Sequence, residues 1–509
     1  MVAKAKNWAR WAPRLRDRGK EGKPKQPWTR QAEAALDEAM ATDNPLLVPL
    51  NASSDEETAR AEAAGTKVNL EAHEGLRGAA ALWIMIFHCF RAYRGADIDF
   101  QGSSIMPLFF VLTGFTLAVV YNKTSPSETE LQSGSILPSK RLTFWSFMNN
   151  RLVRVLPVYY LGSLIAIPAW FLGFGDQDPS DVFAMAGVYG TTATLTSTMF
   201  LFCLGSPLDG PSWTVQTFVW LWCTFPRFMQ RARTMSSADL SKWISNLYWL
   251  QLVILLASFL GLYLLTPLGF WPSFCFATMH PLSRLPLFLM GIYAGELRVR
   301  SGSLSLLSVW PRAVACFFPT PLCACSCSLQ SAKDGNGDGE VDAWTTRAFN
   351  RSLGLFAATL IVAGGNSLAG TNIVGAVWFQ AIVPFCQLEI VLALTLQSTS
   401  SLLHRALAAP LARFLGKISM TIYLIHYSVI FYVEWGAYGF RSVVWPANAK
   451  RTAQNAKVSG PTDDSVYVEW EDARQLQLWA IPLVVGITIP IAAAVFYIFE
   501  EPVRTVFRV

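Results

Sequence analysis

The sequence has few charged side chains. Aspartate, glutamate, lysine and arginine make up 15% of its 509 residues, whereas hydrophobic residues make up 52%. Soluble domains of ordinary composition are about a quarter charged. Several apolar runs of about 20 residues are also long enough to cross a bilayer. The composition therefore excludes an ordinary soluble globule and predicts an all-α, polytopic membrane helix bundle.

The N-terminal part of the chain lacks an apolar run long enough for a signal peptide or a membrane span. Its lysines and arginines contribute to a net charge of +6. That excess is modest and is expected of a protein with basic cytosolic loops, so we predict no nucleic-acid partner. We interpret residues 1–70 as a cytosolic basic tail and linker, largely disordered, although its basic first part would also suit an anionic leaflet. Residues 71–509 are the predicted transmembrane domain.

The placement of basic residues orders the apolar segments. With basic loops kept in the cytosol, ten spans alternate without conflict and both termini are cytosolic. The predicted spans are about 76–93, 104–121, a third from about 152, 212–228, 247–268, 277–297, 352–368, 373–396, 414–435 and 476–498. Residues 182–204 are predicted to be an additional interfacial or re-entrant segment, because a crossing there would reverse every later helix. Loop 299–351 is then cytosolic and loop 436–475 is external.

Histidine is scarce, with five in the chain, and two lie deep in predicted spans. His88 follows Arg77 by about three helical turns, roughly 16 Å, so the two share a helix face. With Arg77 at a membrane surface, His88 lies about halfway through a core of about 30 Å. His426 lies at a similar depth, about 18 Å, in a helix that begins near Phe414 and also presents Tyr423. Ionisable groups at such depth often serve function; the alternative is a histidine bonded to a neighbouring helix.

Two arginines stand three residues apart at the start of the third span. Arg151 and Arg154 therefore share a helix face. Basic residues near a span end usually set topology. The alternative is a phosphate clamp, because guanidinium groups bind phosphate oxygens in pairs.

Two segments of the sequence match metal-binding motifs only in part. Four cysteines between residues 316 and 327 lack the paired C-x2-C form of a zinc site, and we interpret them as free thiols or acylation sites. The segment DGNGDGEVDAWT that follows places four ligands at positions 1, 3, 5 and 9 of an EF-hand loop: Asp334, Asn336, Asp338 and Asp342. Thr345 occupies position 12, where an EF-hand has a bidentate glutamate. The pattern predicts weak calcium binding or a polar turn.

Seven segments, taken in order from Leu76 to Arg504, resemble the membrane-bound acyltransferase 3 family. They are RGAAALWIMIFH, FFVLTGF, RLVRVLPVYY, the WTVQ helix, RLPLFLMGIYAGEL, GKISMTIYLIH and FEEPVR. The resemblance implies a ten-helix bundle that transfers an acyl group, often acetyl, from acyl-coenzyme A to a hydroxyl of a sugar or lipid across the membrane. Where the family often has a glutamate in its tryptophan motif, Gln216 stands three residues after Trp213.

The resemblance also implies roles for particular residues. The arginine and histidine of the family's first helix match Arg77 and His88, and its R-x-x-R pair matches Arg151 and Arg154. We expect the three arginines to hold the donor, and His88 to deprotonate the acceptor or carry the acyl group. His426 is the second catalytic candidate, as a group that orients the acceptor or assists proton transfer. Four residues are expected to support the site: Trp213, Gln216, Tyr423 and Glu500. We expect no bound cofactor. The expected partners are the lipid bilayer, acyl-coenzyme A as the donor substrate, and a sugar or lipid acceptor.

Two other functions fit the residues. A transporter or channel would use buried histidine, glutamate and arginine side chains as a relay for protons or substrate, but the chain shows no inverted repeat that would favour this class. An inactive relative that only binds a lipid or a partner is the other alternative, because Gln216 replaces the expected carboxylate.

We predict that an N-glycosylation acceptor inserted beside Asp334 stays unmodified, because loop 299–351 is placed in the cytosol. The measurement is the glycosidase-sensitive mobility of the protein expressed in eukaryotic cells. An acceptor inserted in loop 436–475 is the positive control. Glycosylation beside Asp334 would contradict the topology.

Overall fold

The computed structural model describes residues 68–94, 102–122, 143–173, 187, 189–199, 210–258, 276–300, 354, 383–384, 387–392, 394–395, 402–438 and 480–507. The chain divides into two units, 1–66 and 67–509, and all of these residues belong to the second. The predicted tail at 1–70 and the predicted loops at 299–351 and 436–475 fall almost wholly outside them, so the predicted domain organisation stays a prediction.

Every regular element in these ranges is helical, which confirms the predicted all-α class. The first helices are α1 Glu71–Arg94, α2 Met106–Tyr121, α3 Phe144–Gly173, α4 Trp213–Thr234, α5 Ser237–Ala257 and α6 Pro281–Arg300. The later ones are α7 Leu402–Ala408, α8 Pro410–Lys417, α9 Ser419–Tyr438, α10 Ala480–Val495 and α11 Glu501–Phe507. A π-helical turn, Phe496–Glu500, joins α10 to α11, and short 3-10 turns lie at Gly102–Ile105, Ser197–Met199 and Gly210–Ser212.

Polar side chains mark the starts of two helices. The Asn69 side chain accepts a hydrogen bond from the backbone N–H of Glu71 at 2.9 Å, just before α1. Ser236 accepts from the N–H of Asp239 at 3.1 Å and donates to its carboxylate at 2.7 Å, just before α5. Such caps satisfy amide groups that have no partner within the helix. They fix where these two helices begin.

Three described helices are long and apolar enough to cross a membrane: Phe144–Pro168, Ser237–Ala257 and Ala480–Val506. The pair α8 and α9, bent by 69° at Ile418, adds a fourth if it is one broken span. These helices indicate an integral membrane protein. The predicted count of ten includes segments outside the described ranges. Residues 189–199, from the segment predicted to be interfacial or re-entrant, contain a helical turn and a 3-10 turn.

Two large apolar clusters form the core of the described helices, and a third, small one packs α1 and α7 against Ile390 and Leu394. The larger centres on α2, α4 and α6 and includes part of α3, with Phe115, Phe225 and Phe288 fully buried. The smaller joins α1, α9 and α10. Because α1 also contributes Ala80 and Ile84 to the larger cluster, it lies between the two. This central position puts α1 next to both groups of helices.

Glycines let α2 and α6 approach with their backbones in contact. A Cβ atom on Gly291 would lie 2.1 Å from the carbonyl oxygen of Val111, and one on Gly114 would lie 2.2 Å from that of Phe288. Gly291 and Gly295 are four residues apart, the spacing that brings membrane helices close together. Neither close position has room for a methyl group.

The helix that carries His426 begins at Ser419, so the predicted start near Phe414 is wrong. Phe414 belongs to α8, which meets α9 at the 69° bend. Gly416 near the end of α8 packs directly on α1, since a Cβ there would lie 2.1 Å from the carbonyl oxygen of Glu74. The contact and the bend occur together at residues 416–418, and this short segment is the helix break.

We predict that Gly291→Ala destabilises the protein by about 1–3 kcal/mol, because the added methyl group overlaps the backbone of α2. Gly486→Ala in α10 is the matched control, since a Cβ there meets nothing within 4 Å. We expect the control to be neutral or slightly stabilising, as for glycine replaced within a helix. Thermal unfolding in detergent measures both variants. Equal melting temperatures for Gly291→Ala and the parent would contradict the close α2–α6 contact.

Candidate active site

A cavity between the helices of the described core brings together the arginines proposed from the sequence. Its lining contains four cationic side chains, Arg77, Arg151, Arg154 and Lys417, and one carboxylate, Glu500. Hydroxyl groups are contributed by Thr113, Thr116, Thr214, Ser419 and Tyr423. The remaining wall is mostly apolar. Excess positive charge with hydroxyl groups suits a ligand that carries both anionic and polar groups.

Arg77 is held in this lining by the helix break. Its Nε and Nη2 atoms donate to the carbonyl oxygen of Gly416 at 3.3 and 3.1 Å. In a continuous helix that oxygen would accept from the amide four residues later. At the bend it accepts instead from Arg77, from the N–H of Ile418 two residues later, and from the Ser419 hydroxyl at 2.8 Å. The orientation of Arg77 therefore depends on the backbone of α8.

Aromatic rings orient Arg151. Its Nη2 donates to the hydroxyl of Tyr121 at 3.2 Å. Its guanidinium carbon lies 5.4 Å from the ring centroid of Tyr121 and 5.7 Å from that of Phe147, within the range of cation–π attraction. The carbonyl of Tyr121, at the end of α2, accepts a hydrogen bond from Arg233. Tyr121, which orients Arg151, is thus itself held in place by Arg233.

Glu500 is buried beside these cations, with 3% of its surface exposed. It accepts from the Thr421 hydroxyl at 3.0 Å, and its other oxygen lies 3.9 Å from Arg504. It also interacts electrostatically with Arg154 and Arg77. Because several arginines close together repel one another, this carboxylate favours their convergence. Glu500 is the last residue of the π-helical turn, which places its side chain here. Two residues later, Pro502 lacks the N–H that a regular α-helix would use, and this favours the local departure from α-helical geometry.

The two histidines of the predicted spans meet across α1 and α9. The Nδ1 atom of His88 and the Nε2 atom of His426 are 2.8 Å apart. The two rings are nearly parallel, with an angle of 9° between their planes. The other ring nitrogen of His426 lies 3.1 Å from the carbonyl oxygen of Ile422. Tyr427 presents its ring at right angles to that of His88, with centroids 5.5 Å apart. The similar depths expected from the sequence correspond to a direct contact.

Tyr423 lies between the cationic cavity and the histidine pair. Its side chain lines the cavity, whereas His88 and His426 do not. Its ring centroid is 5.9 Å from that of His426 and 6.1 Å from that of Phe109. Its hydroxyl donates to the sulfur of Met106 at 3.8 Å. The candidate site therefore has two adjacent compartments. One is the cationic cavity, and the other is the histidine pair on the far side of Tyr423.

Comparison with protein families places the chain in a family. The model of the acyltransferase 3 family, described as an acyltransferase domain, matches residues 71–498. The chain belongs to the acyltransferase 3 family. No curated protein and no solved structure matches it. With the apolar helices, membership of this family supports a membrane acyltransferase in general.

Gln216, where the acyltransferase 3 resemblance leads us to expect a glutamate, is buried and bonded on both sides of its amide. The oxygen accepts from the Ser197 hydroxyl, and the nitrogen donates to the Tyr159 hydroxyl at 2.9 Å. Tyr159 donates in turn to the carbonyl of Thr192 at 2.9 Å. An amide suits this position because it donates and accepts, whereas a carboxylate only accepts. Gln216 connects α3 and α4 to residues 189–199.

Trp213, the other expected supporting residue of the motif in this acyltransferase 3 member, is buried at the start of α4. Its ring centroid lies 6.3 Å from that of Phe110. Neither Trp213 nor Gln216 belongs to the cavity lining. Both residues of the tryptophan motif therefore lie outside the cavity lining, where Trp213 packs and Gln216 forms hydrogen bonds, and their supporting role stays a prediction.

Two basic residues near span ends have positions that the sequence does not reveal, because such residues usually set topology. Lys417 lines the cavity one residue before the bend. Arg300, outside the cavity lining, is buried against Glu296, with nitrogen and oxygen 2.7 Å apart. It also donates to the carbonyls of Ala232 and Met235 at the end of α4. The spacing of Glu296 and Arg300, four apart on one helix, was the available signal.

The described ranges contain no group of three or more histidine, cysteine, aspartate or glutamate side chains placed to hold a metal ion. The predicted calcium ligands Asp334, Asn336, Asp338 and Asp342 lie outside these ranges. Weak calcium binding at that loop stays a prediction.

We predict that Gln216→Leu lowers stability by about 1–3 kcal/mol, because two buried hydroxyls lose a hydrogen-bond partner. The melting temperature of the purified protein measures the loss. The control is a cycle with Ser197→Ala: since the two residues share one bond, the double variant should lose less than the sum of the single losses. Strictly additive losses, or no loss for Gln216→Leu, would contradict the network.

Proposed function

We propose that this protein transfers an acyl group, acetyl in the first instance, from cytosolic acyl-coenzyme A to a hydroxyl of a sugar or lipid acceptor across the membrane. The observation that carries the proposal is that α1 connects the two compartments. Arg77 on this helix belongs to the cationic cavity, and His88, three turns further on, belongs to the histidine pair. Membership of the acyltransferase 3 family supports acyl transfer.

The cationic cavity supports the choice of donor. Coenzyme A carries several phosphate charges, and the lining has four cations against one carboxylate. Guanidinium groups suit phosphate oxygens in geometry as well as in charge. We assign Arg77, Arg151 and Arg154 to donor binding, and Glu500 to holding these arginines together when the donor is absent.

We assign the chemical step to His88. Its neutral imidazole takes the proton of the acceptor hydroxyl as the oxygen attacks the thioester carbonyl. The carbon–sulfur bond breaks, and the coenzyme A thiolate leaves and takes up that proton from the His88 imidazolium, which restores the neutral base. Because Tyr423 separates the cavity from the histidines, the acyl arm must pass this side chain or displace it.

We extend the proposal to the membrane arrangement. Ten spans with both termini and loop 299–351 in the cytosol would present the arginine-lined cavity to the cytosolic donor. The lipid bilayer, acyl-coenzyme A and the acceptor are the partners, with no nucleic acid. The loop with Asp334, Asn336, Asp338 and Asp342 is a weak calcium site or a polar turn, apart from the proposed chemistry.

The decisive assay measures release of free coenzyme A thiol by the purified protein in nanodiscs. Acyl-coenzyme A donors of different chain length are tested with and without candidate sugar and lipid acceptors. Release that requires an acceptor supports the proposal. A well-folded preparation that transports small solutes but consumes no donor with any acceptor would favour the transporter class.

We predict different defects for the two compartments. His88→Ala should lower turnover on the order of 10²-fold or more through loss of the general base, with little change in donor binding. Arg154→Ala should weaken donor binding by about 1.5–3 kcal/mol, the value of a charge-assisted hydrogen bond. Steady-state kinetics and donor-binding measurements separate the two effects.

Arg227→Ala is the matched arginine control, since Arg227 is exposed on α4 and does not belong to the cavity lining. It should behave as the parent in both measurements. A folded His88→Ala protein with the parent turnover would make the assignment of the base wrong and leave His88 as a helix-bonding residue.

A further inference from the structure

The bonds of the histidine pair determine which nitrogen of His88 is basic. We propose that His426 is a positioning residue that holds His88 in the tautomer with its proton on Nδ1, so that Nε2 of His88 is the atom that accepts the proton in acyl transfer. The inference rests on the proposed function for its chemical role. The assignment of the protons themselves rests on geometry alone.

The assignment starts from a backbone carbonyl, which can only accept. Since the Nδ1 atom of His426 lies 3.1 Å from the carbonyl oxygen of Ile422, that nitrogen carries a proton. A neutral imidazole has one donor and one acceptor nitrogen, so the Nε2 atom of His426 accepts. The nitrogen 2.8 Å from it, Nδ1 of His88, must therefore donate. The lone pair of neutral His88 is then on Nε2.

This arrangement gives His426 a different role from the one expected. Both of its ring nitrogens are engaged within the protein, one with His88 and one with Ile422, and the side chain is fully buried. It acts on the substrate only through His88. When Nε2 of His88 takes a proton, its Nδ1–H bond to His426 becomes charge-assisted and stronger, which stabilises the imidazolium. Orientation of a catalytic imidazole by a second group follows the same logic in hydrolytic triads.

Two other histidines are internal controls because their bonds fix the opposite tautomer. In His280, Nδ1 accepts from the backbone N–H of Leu282 at 3.1 Å, and Nε2 lies 3.3 Å from the carbonyl of Met199. In His73, Nε2 lies 2.8 Å from the carbonyl of Val391. Both should carry the proton on Nε2. One protein therefore contains both forms for comparison.

The first test is nitrogen NMR of the full-length protein with ¹⁵N-labelled imidazoles, recorded at a pH where the histidines are neutral. The chain has five histidines, so single replacements assign the signals. We expect His88 and His426 to carry the proton on Nδ1, and His73 and His280 on Nε2. In His426→Leu, the His88 signal should shift to a mixture of forms or to the Nε2-protonated form. A proton on Nε2 of His88 in the parent, or an unchanged His88 spectrum in His426→Leu, would overturn the proposal.

The second test measures acyl transfer in three variants at position 426. Glutamine can place an amide oxygen where Nε2 of His426 accepts from His88, so His426→Gln should keep turnover within about 10-fold of the parent. The shorter asparagine places its amide near Ile422 and does not reach His88, and leucine has no hydrogen-bond acceptor. Both variants should therefore lose turnover on the order of 10²-fold or more, with the donor KM unchanged. Equal losses in all three variants would indicate a packing role and overturn the proposal.

The two tests separate this inference from the proposed function. If the parent protein shows the expected tautomers but transfers no acyl group, the positioning of His88 stands and the proposed function fails. If the protein transfers acyl groups but His88 carries its proton on Nε2, the proposed function stands and the positioning role fails.

Discussion

The carbonyl group of Gly416 is the point on which the described site depends. A straight helix from α8 into α9 would use this oxygen within its own backbone. At the bend this oxygen accepts instead from Arg77, from the Ser419 hydroxyl and from the N–H of Ile418, only two residues later. The same glycine lets α8 touch the backbone of α1. One break in one helix therefore sets both the packing of α1 and the direction of its arginine.

From this contact the rest of the site follows along α1. The helix is rigid over the three turns from Arg77 to His88, so fixing the end that carries Arg77 also fixes where His88 meets α9. α9 itself begins at the break, and its residues Tyr423 and His426 extend from the cavity to the histidine pair. The helices α1 and α9 therefore each contribute side chains to both the cavity and the histidine pair.

Much of this could be predicted from the sequence because periodicity and depth are local properties. The helix face shared by Arg77 and His88, the pair Arg151 and Arg154, and the class of fold all follow from spacing and composition. The bend at Ile418 could not be predicted, since no proline interrupts GKISMTIY and the break is stabilised by α1, which is distant in sequence. The roles of Arg300 and Lys417 were hidden for a related reason: a basic residue near a span end has the same local pattern whether it faces water or is buried.

The amide network at Gln216 has a consequence for the conditions in which the fold is maintained. Residues 189–199 are attached to α3 and α4 through an amide, two hydroxyls and backbone carbonyls. None of these groups gains or loses a proton between about pH 5 and 8. A carboxylate at the same buried position would make the attachment sensitive to acid. With glutamine, the segment keeps the same hydrogen bonds whether the compartment that it faces is neutral or mildly acidic.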